Sequence, residues 1–385
     1  MIRFTTAGES HGEGLLVILE GIPAGLLINY EGINVELARR QKGYGRGQRM
    51  NIEADSVKIF SGVRHKRSIG SPIAMYIANK DFKNWTHIMS PTSSDSNGTA
   101  LLKPRPGHAD MSGLMKYGVS DFRDILERAS ARETAARVAA GAVCKALLKE
   151  FGISVMSYTA QIGNIIADMS SVQEDKIWCN AEMSYVRCPD KTSGEKMIQL
   201  IKEAETKGDS VGGKVVVVVN NVFAGLGSHT QWDLKLDGRL AQSLISIQAI
   251  KAVEFGAGTK LAELLGSQSH DEIFYNKMKG FYRNTNRAGG IEGGMSNGEP
   301  IVVTCTMKAI PSLSSPLSSV NLVTKKTDKA EAVRSDVCAV PAVGIVAEAA
   351  VAIELAKALK EKFGGDSLED MKKNVSIYKE RLKAL

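Results

Sequence analysis

The sequence predicts a mixed α and β fold built as one body, and three observations carry that prediction. A capped, amphipathic helical pattern runs from about Ser130 to Phe151, five consecutive valines lie inside Lys214 to Asn220, and no low-complexity linker interrupts the 385 residues. The elements follow in order. Residues 13 to 28 form a β-rich stretch broken by Gly21, Pro23 and Gly25, followed by a short helix around Asn34 to Arg40 and a glycine-rich turn over Gly43 to Gly47. A strand is expected near Val57 to Phe60. Residues 84 to 104 hold Ser, Thr, Asn and Pro without periodicity and read as a long loop, a type of segment that often carries function. Ser130 and Glu133 have capping-box spacing, in which the serine bonds a backbone N–H three residues on and the glutamate reaches back. Behind them Ala135, Val138, Ala139, Ala142, Val143, Ala146 and Leu147 recur at helical intervals. The valine run reads as a strand buried on both faces, and a second long helix from about Val343 to Phe363 ends at Gly364 and Gly365. The chain, 1–385, is expected to be a single domain, with residues 366–385 a charged, peripheral, solvated helix.

Composition bounds the function. Hydrophobic residues make up 43% and charged residues 24%, with 10 prolines, which excludes collagen-like, disordered and coiled-coil classes. Five cysteines without a CxxC pair argue against a disulfide framework and a structural zinc site, and point to a reducing cytoplasm. At the N-terminus Glu9 and His11 interrupt the apolar stretch that a signal peptide would need. The most apolar region, Val340 to Leu355, contains Glu348 and Glu354 and falls short of a membrane span. The net charge of +7 is compatible with nucleic acid, an acidic lipid or a small polyanion, so its distribution has to decide.

Positive charge concentrates in ARRQKGYGRGQR, where Arg39, Arg40, Lys42, Arg46 and Arg49 surround three glycines. Glycine lets backbone approach a ligand, and arginine's planar fork suits phosphate or carboxylate. A solvated surface loop and a single-strand RNA binder are the other two readings of this segment; one tyrosine is thin support for base stacking. RPGH places Arg105 and His108 about a Pro-Gly turn, ahead of Asp110, and GESHG sets Ser10 and His11 among small residues. Histidine in a turn is more often structural than catalytic. Arg128, Ser130 and Arg132 fall where the long helix is expected to begin, beside free backbone N–H groups that welcome an anion. Arg334 and Asp336 read as a surface ion pair at the simplest. GAGTKL at Gly256 lacks the third glycine of a dinucleotide fingerprint, and no GxxxxGK[ST] loop occurs.

In order and wording these segments resemble one family, the chorismate synthases. GESHG at Gly8, RRQKGYGRGQRM at Arg39, SGV at Ser61, RPGHAD at Arg105, ERASARETAARVAAGAV at Glu127, VEFGAG at Val253, GGIEGGMSNGEPI at Gly289 and RSD at Arg334 are similar to that family's motifs across nearly the whole chain. Two segments depart from the pattern. KAIPS at Lys308 lacks the family's proline after the lysine, and SIQAIKAVEFG at Ser246 lacks the proline common before the alanine. These changes imply altered local geometry more than lost function.

The resemblance implies an α+β fold, a layered β-α-β sandwich assembled as a homotetramer. It also implies a lyase acting on 5-enolpyruvylshikimate 3-phosphate, with no nucleic-acid or membrane partner. The reaction is an anti 1,4-elimination to chorismate and phosphate that requires reduced FMN without net oxidation; NADPH enters only as a reductant of the flavin. By the same carry-over Ser10, Arg40, Arg46, Arg49, Arg105, Ser130, Arg132 and Arg334 would hold the anionic substrate. His11 would protonate the leaving phosphate, and His108 would stabilise reduced flavin. Asp336, whose flanking arginines make it a poor direct base, would accept the proton by way of flavin N5. FMN would rest on Arg128, Ala129 and Ser130, on Gln248 and Ala249, on Gly293, on Lys308, Ala309, Ile310, Pro311 and Ser312, and on Arg334. An RNA-binding module and an inactive relative are the rivals; 42 acidic residues and 6% aromatics weigh against the first, and the joint presence of His11, His108, Arg334 and Asp336 against the second.

Overall fold

The structure, a computed structural model, describes residues 1–47, 54–92, 100–278, 280–332 and 335–385. Its elements in chain order are β1 (Arg3–Ala7), β2 (Gly14–Glu20), α1 (Tyr30–Gln41), β3 (Val57–Ile59), β4 (Ile73–Ala78), α2 (Asp110–Tyr117), α3 (Arg123–Ala129), α4 (Thr134–Lys149), β5 (Ser154–Ile162) and β6 (Ile165–Ile166). There follow α5 (Lys191–Thr206), β7 (Gly213–Asn220), α6 (Leu236–Ile245), β8 (Ile250–Phe255), β9 (Ile301–Met307), α7 (Val340–Phe363) and α8 (Leu368–Lys383), with shorter hairpins and turns between.

Two antiparallel sheets enclose a helical layer. One has the order β1-β2-β4-β3 and the other β8-β9-β7-β5-β6. On β2 the alternation is complete: Leu15, Val17 and Leu19 face the core while Leu16 and Ile18 face out. Helix α4 packs on β1, β2 and β4, and α7 packs on β5, β7 and β9; α4 and α7 also pack on each other, which makes the β-α-β sandwich. Their contact is close because α4 and α7 are alanine-rich where they meet. A Cβ at Gly141 would lie 2.3 Å from that of Ala349. Helix α7 is buried on nearly every side, which is why its sequence shows no amphipathic stripe.

Local expectations and structure differ at several ends. Helix α1 extends to Tyr30–Gln41, longer than the Asn34 to Arg40 read from the sequence, and α7 begins at Val340 with Pro341 in its first turn. The larger correction concerns Ser130. It caps a short 3-10 turn, Ala131–Glu133, by accepting from the Arg132 N–H at 3.3 Å, and α4 proper starts at Thr134 and ends at Lys149. Glu133 does not complete a capping box, because Thr6 and Arg137 engage its carboxylate. The terminal α8 is not wholly solvated: Leu368, Met371 and Val375 are buried, and Tyr378 packs edge-on to Phe363.

Glu348 sits fully buried in α7, surrounded by Arg39, Lys145, Arg187 and Ser157. Burial alone would raise its carboxyl, but Lys145, Arg39 and Arg187 hold it down at about 2. This network ties α1, α4, β5 and α7 together and takes Arg39 out of the candidate anion site.

Candidate active site

The loop from β1 to β2 turns on Gly8, whose φ of +105° and 2.2 Å approach of a would-be Cβ to the Gly14 carbonyl admit no side chain. That turn lays Ser10 and His11 over α3. The Ser10 N–H donates to the Glu127 carbonyl at 3.0 Å. The His11 N–H donates to Glu127 Oε2 at 2.7 Å, and His11 Nδ1 lies 2.8 Å from Glu127 Oε1. Trp85, from the long loop, stacks on the imidazole with ring centroids 3.9 Å apart.

Beside them lies a buried cluster of guanidinium groups. Arg132 donates from Nη1 to both oxygens of Asp55 at 2.6 and 2.8 Å and from Nε to Asn79 Oδ1 at 2.9 Å. Asn79 in turn donates to the Gly12 carbonyl at 2.7 Å, and Ser130 Oγ lies 3.2 Å from Ser10 Oγ, so the cluster adjoins the His11 loop. Arg40 reaches Thr134 Oγ1 and the Ala131 carbonyl at 2.9 Å each, with Asp55 at 3.6 Å. Arg46 Nε is 3.2 Å from Asp336 Oδ2, and the Gly47 N–H donates to Asp336 Oδ1 at 2.6 Å. Burial pulls the Arg40 guanidinium down to about 10; Asp55 opposes that, while Arg46 and Arg132 reinforce it. Three guanidinium groups against two carboxylates leave positive charge in excess. Arg132 Nη2 and Arg40 Nη1 are buried and have no hydrogen-bond partner among the described residues, the latter facing Asp55 Oδ2 at 3.6 Å. Buried donors of this kind are what an incoming anion would satisfy.

A second group forms where Arg105 to Asp110 meets Lys308 to Ser312. Arg105 binds buried Asp110 through Nε and Nη2 at 2.9 and 3.0 Å, and donates from Nη1 to Ser312 Oγ at 2.8 Å. His108 Nδ1 contacts both Asp110 and Arg105, and Lys308 Nζ donates to the Gly107 carbonyl at 2.5 Å. Burial would raise the Asp110 carboxyl, but the hydrogen bonds from His108 and Arg105 outweigh it and hold the group well below the usual carboxylate range. The Ile310 carbonyl accepts from Ser210 Oγ at 2.7 Å. Ala249, with a φ of +68°, accepts from the Lys308 N–H at 3.0 Å and so attaches Gln248 to the same group.

Gln248 and Arg128 both line a cavity of about 490 Å³, within the range of cofactor pockets. Gln248 Oε1 is buried there without a hydrogen-bond partner among the described residues. Arg128, at the end of α3 before Ala129, holds the β1 edge through the Thr6 and Gly8 carbonyls at 3.1 and 3.2 Å. Gly293 occupies the turn of the Ile291–Ser296 hairpin and, among the described residues, makes no hydrogen bond to the other candidate residues. Arg49 and Arg334 lie outside the described residues.

The simple readings of two segments therefore change. Among the described residues Asp336 is paired with Arg46, and Arg39, Arg40 and Arg46 are interior ion-paired side chains, unavailable as a solvated or RNA-facing stripe. Sequence reasoning missed Asp55, Asn79, Glu127 and Trp85 as site residues. Glu127 opens the ERAS motif and Trp85 is the aromatic of the loop marked by its length; for Asp55 and Asn79 no local signal exists.

The family profile described as chorismate synthase matches residues 2–359. The chain is 81% identical over 385 residues to the chorismate synthase of Endomicrobium trichonymphae, and 52% identical over 388 residues to that of Moorella thermoacetica, with all of each chain covered in both cases. A crystal structure of chorismate synthase superimposes with a TM-score of 0.82 and 43% identity, covering 100% of this chain and 99% of the other. Profile, relatives and solved fold coincide along the chain, which belongs to the chorismate synthase family of lyases.

Proposed function

We propose that the two side-chain groups and the cavity form one active site for the family reaction, the anti 1,4-elimination of phosphate from 5-enolpyruvylshikimate 3-phosphate. The observation that carries this reading is the pair of buried donors Arg40 Nη1 and Arg132 Nη2, without a hydrogen-bond partner among the described residues, in a cluster with excess positive charge. A substrate with two carboxylates and a phosphate supplies the missing acceptors. Arg40, Arg46 and Arg132 hold these groups with Ser10 and Ser130; Arg105 secures the neighbouring wall through Asp110 and Ser312, and Arg49 and Arg334 complete the set in sequence. Preorganised donors in a water-poor site also stabilise charge developing on departing phosphate, an effect worth several kcal/mol in comparable sites.

His11 gives a proton to the phosphate oxygen as the C–O bond breaks. Asp336, held by Arg46 and the Gly47 N–H, is the final holder of the proton lost from C6. The C–H electron pair becomes the new double bond and the C–O pair leaves with phosphate, so the reaction balances without net oxidation.

The residues present also fit reduced FMN. Gln248 Oε1 is a buried acceptor awaiting a donor such as a flavin N–H, and the cavity beside it is large enough for part of the cofactor. Arg128, Ala129, Ser130, Gln248, Ala249 and Lys308 to Ser312 would hold it, with Gly293 and Arg334, and His108 would face its ring. When bound, reduced FMN supplies electron density to the allylic system as phosphate leaves and recovers it afterwards. The same reading makes the enzyme a cytoplasmic homotetramer whose flavin is reduced by NADPH or by an outside reductant. Five free thiols suit a reducing compartment, and Leu16, Ile18 and Phe60 give the outer sheet an apolar face that a second copy would cover. The test is anaerobic: with substrate and chemically reduced FMN the protein should release phosphate and chorismate in equal amounts, and none with oxidised FMN. A folded, FMN-binding protein that forms no chorismate would overturn the proposal.

A further inference from the structure

Glu127 is a buried carboxylate that the elimination does not consume, yet it holds the Ser10–His11 loop at three points. Its Oε2 accepts from the His11 backbone N–H at 2.7 Å and lies 3.1 Å from His11 Nδ1, and its Oε1 lies closer to the same Nδ1, at 2.8 Å. A carboxylate only accepts hydrogen bonds, so Nδ1 must carry the proton of that contact, and proton exchange with substrate falls to Nε2. Trp85 fixes the ring from its face. The indole lies 27° from the imidazole plane, is anchored by its Nε1–H on Asp81 Oδ2 at 3.0 Å, and has the Arg123 guanidinium 5.5 Å from its ring. Glu127 thus sets the in-plane rotation and Trp85 the tilt.

We infer that Glu127 is the positioning residue that sets the His11 tautomer, keeping one proton on Nδ1 so that Nε2 delivers the other to the departing phosphate. The inference rests on the proton-donor role of His11 given above. In the transfer the Nε2–H bond breaks, an O–H bond forms on phosphate, and His11 is left neutral with its Nδ1–H still on Glu127.

The isosteric change Glu127→Gln makes this testable, because the His11 backbone N–H can only donate. The amide oxygen must turn towards that N–H, which puts the amide NH₂ at the shorter, 2.8 Å contact with Nδ1, where a protonated Nδ1 would set two donors against each other, so Nδ1 becomes an acceptor in preference to the 3.1 Å contact with the oxygen. The tautomer therefore reverses to Nε2–H. The expected loss in kcat is about 10²–10⁴-fold, the contribution of a well-placed general acid, with KM little changed. A comparable acid-to-amide change behind the histidine of a serine protease triad lowers turnover about 10⁴-fold.

The experiment uses the full-length protein with ¹⁵N-labelled histidine, read by NMR at a pH where imidazole is neutral, with the His11 signal assigned by its loss in His11→Asn. Wild type should show its one-bond N–H coupling at Nδ1, and Glu127→Gln at Nε2. An Nε2–H tautomer in wild type overturns the inference even should the variant not fold, and so does an Nδ1–H retained in Glu127→Gln with wild-type kcat. If His11→Asn itself turns over at the wild-type rate, the donor role of His11 falls instead, while the tautomer assignment is still decided by the spectrum.

Discussion

Arg132→Lys separates the two duties of a guanidinium that both holds the site together and faces the substrate. Nη1 of Arg132 neutralises Asp55 and Nε holds Asn79, while Nη2 is the buried arm assigned to substrate. Lysine keeps one positive charge opposite Asp55 but cannot present a second donor arm in fixed geometry. A hydrogen bond to a charged group contributes about 1.5–3 kcal/mol. At about 1.4 kcal/mol per factor of ten, kcat/KM should fall by roughly 10- to 150-fold. Stability should drop by only about 1 kcal/mol, the scale of the lost bond to Asn79. Arg132→Ala is the contrast: it leaves Asp55 facing Arg40 alone at 3.6 Å, and breaking a buried pair in this way costs about 3–5 kcal/mol. Anaerobic steady-state kinetics with reduced FMN, paired with urea unfolding of both variants, read the two effects apart. A lysine variant with kcat/KM within about twofold of wild type would refute the assignment of Nη2 to the substrate.

Asp336→Asn should lower kcat by about 10²–10⁴-fold while FMN binding, followed by flavin absorbance, stays near wild type; unchanged turnover removes Asp336 from the proton path. Glu348, held at about 2 against an ordinary 4.5, contributes stability that is present above pH 4.5 and lost as pH falls towards 2. Glu348→Gln should flatten that acid loss and cost about 3–5 kcal/mol at neutral pH, because Arg39, Lys145 and Arg187 lose their shared anion; equal urea midpoints for variant and wild type would contradict it. Burial pushes the thiols of Cys144, Cys305 and Cys338 up to about 12 and that of Cys188 to about 11, whereas Cys179 is exposed. A thiol reagent should therefore label Cys179 alone in the native protein, and fast labelling of a second cysteine would show that the described burial is wrong.

Legibility in the sequence followed locality. The valine run became β7 because five apolar β-branched residues leave few alternatives, and the arginine-glycine segments were readable because charge and backbone freedom lie in one short stretch. Ser130 was misread because capping depends on competition: Glu133 had the right spacing but stronger partners in Thr6 and Arg137. Asp55 and Asn79 were invisible because each acts through Arg132, which is 77 and 53 residues away respectively, and only the packing of α4 against the first sheet brings them together. Glu127 stood within a recognised motif, yet its work on His11 spans 116 residues and no spacing rule encodes it.

Two guanidinium nitrogens and one amide oxygen, each buried without a hydrogen-bond partner among the described residues, are the proposed sockets of a single site. A crystal structure of the protein with FMN and 5-enolpyruvylshikimate 3-phosphate tests this most directly. Substrate oxygens should lie within hydrogen-bond distance of Arg40 Nη1 and Arg132 Nη2, with a flavin donor on Gln248 Oε1; a complex in which both ligands bind and all three atoms stay unmatched would contradict it.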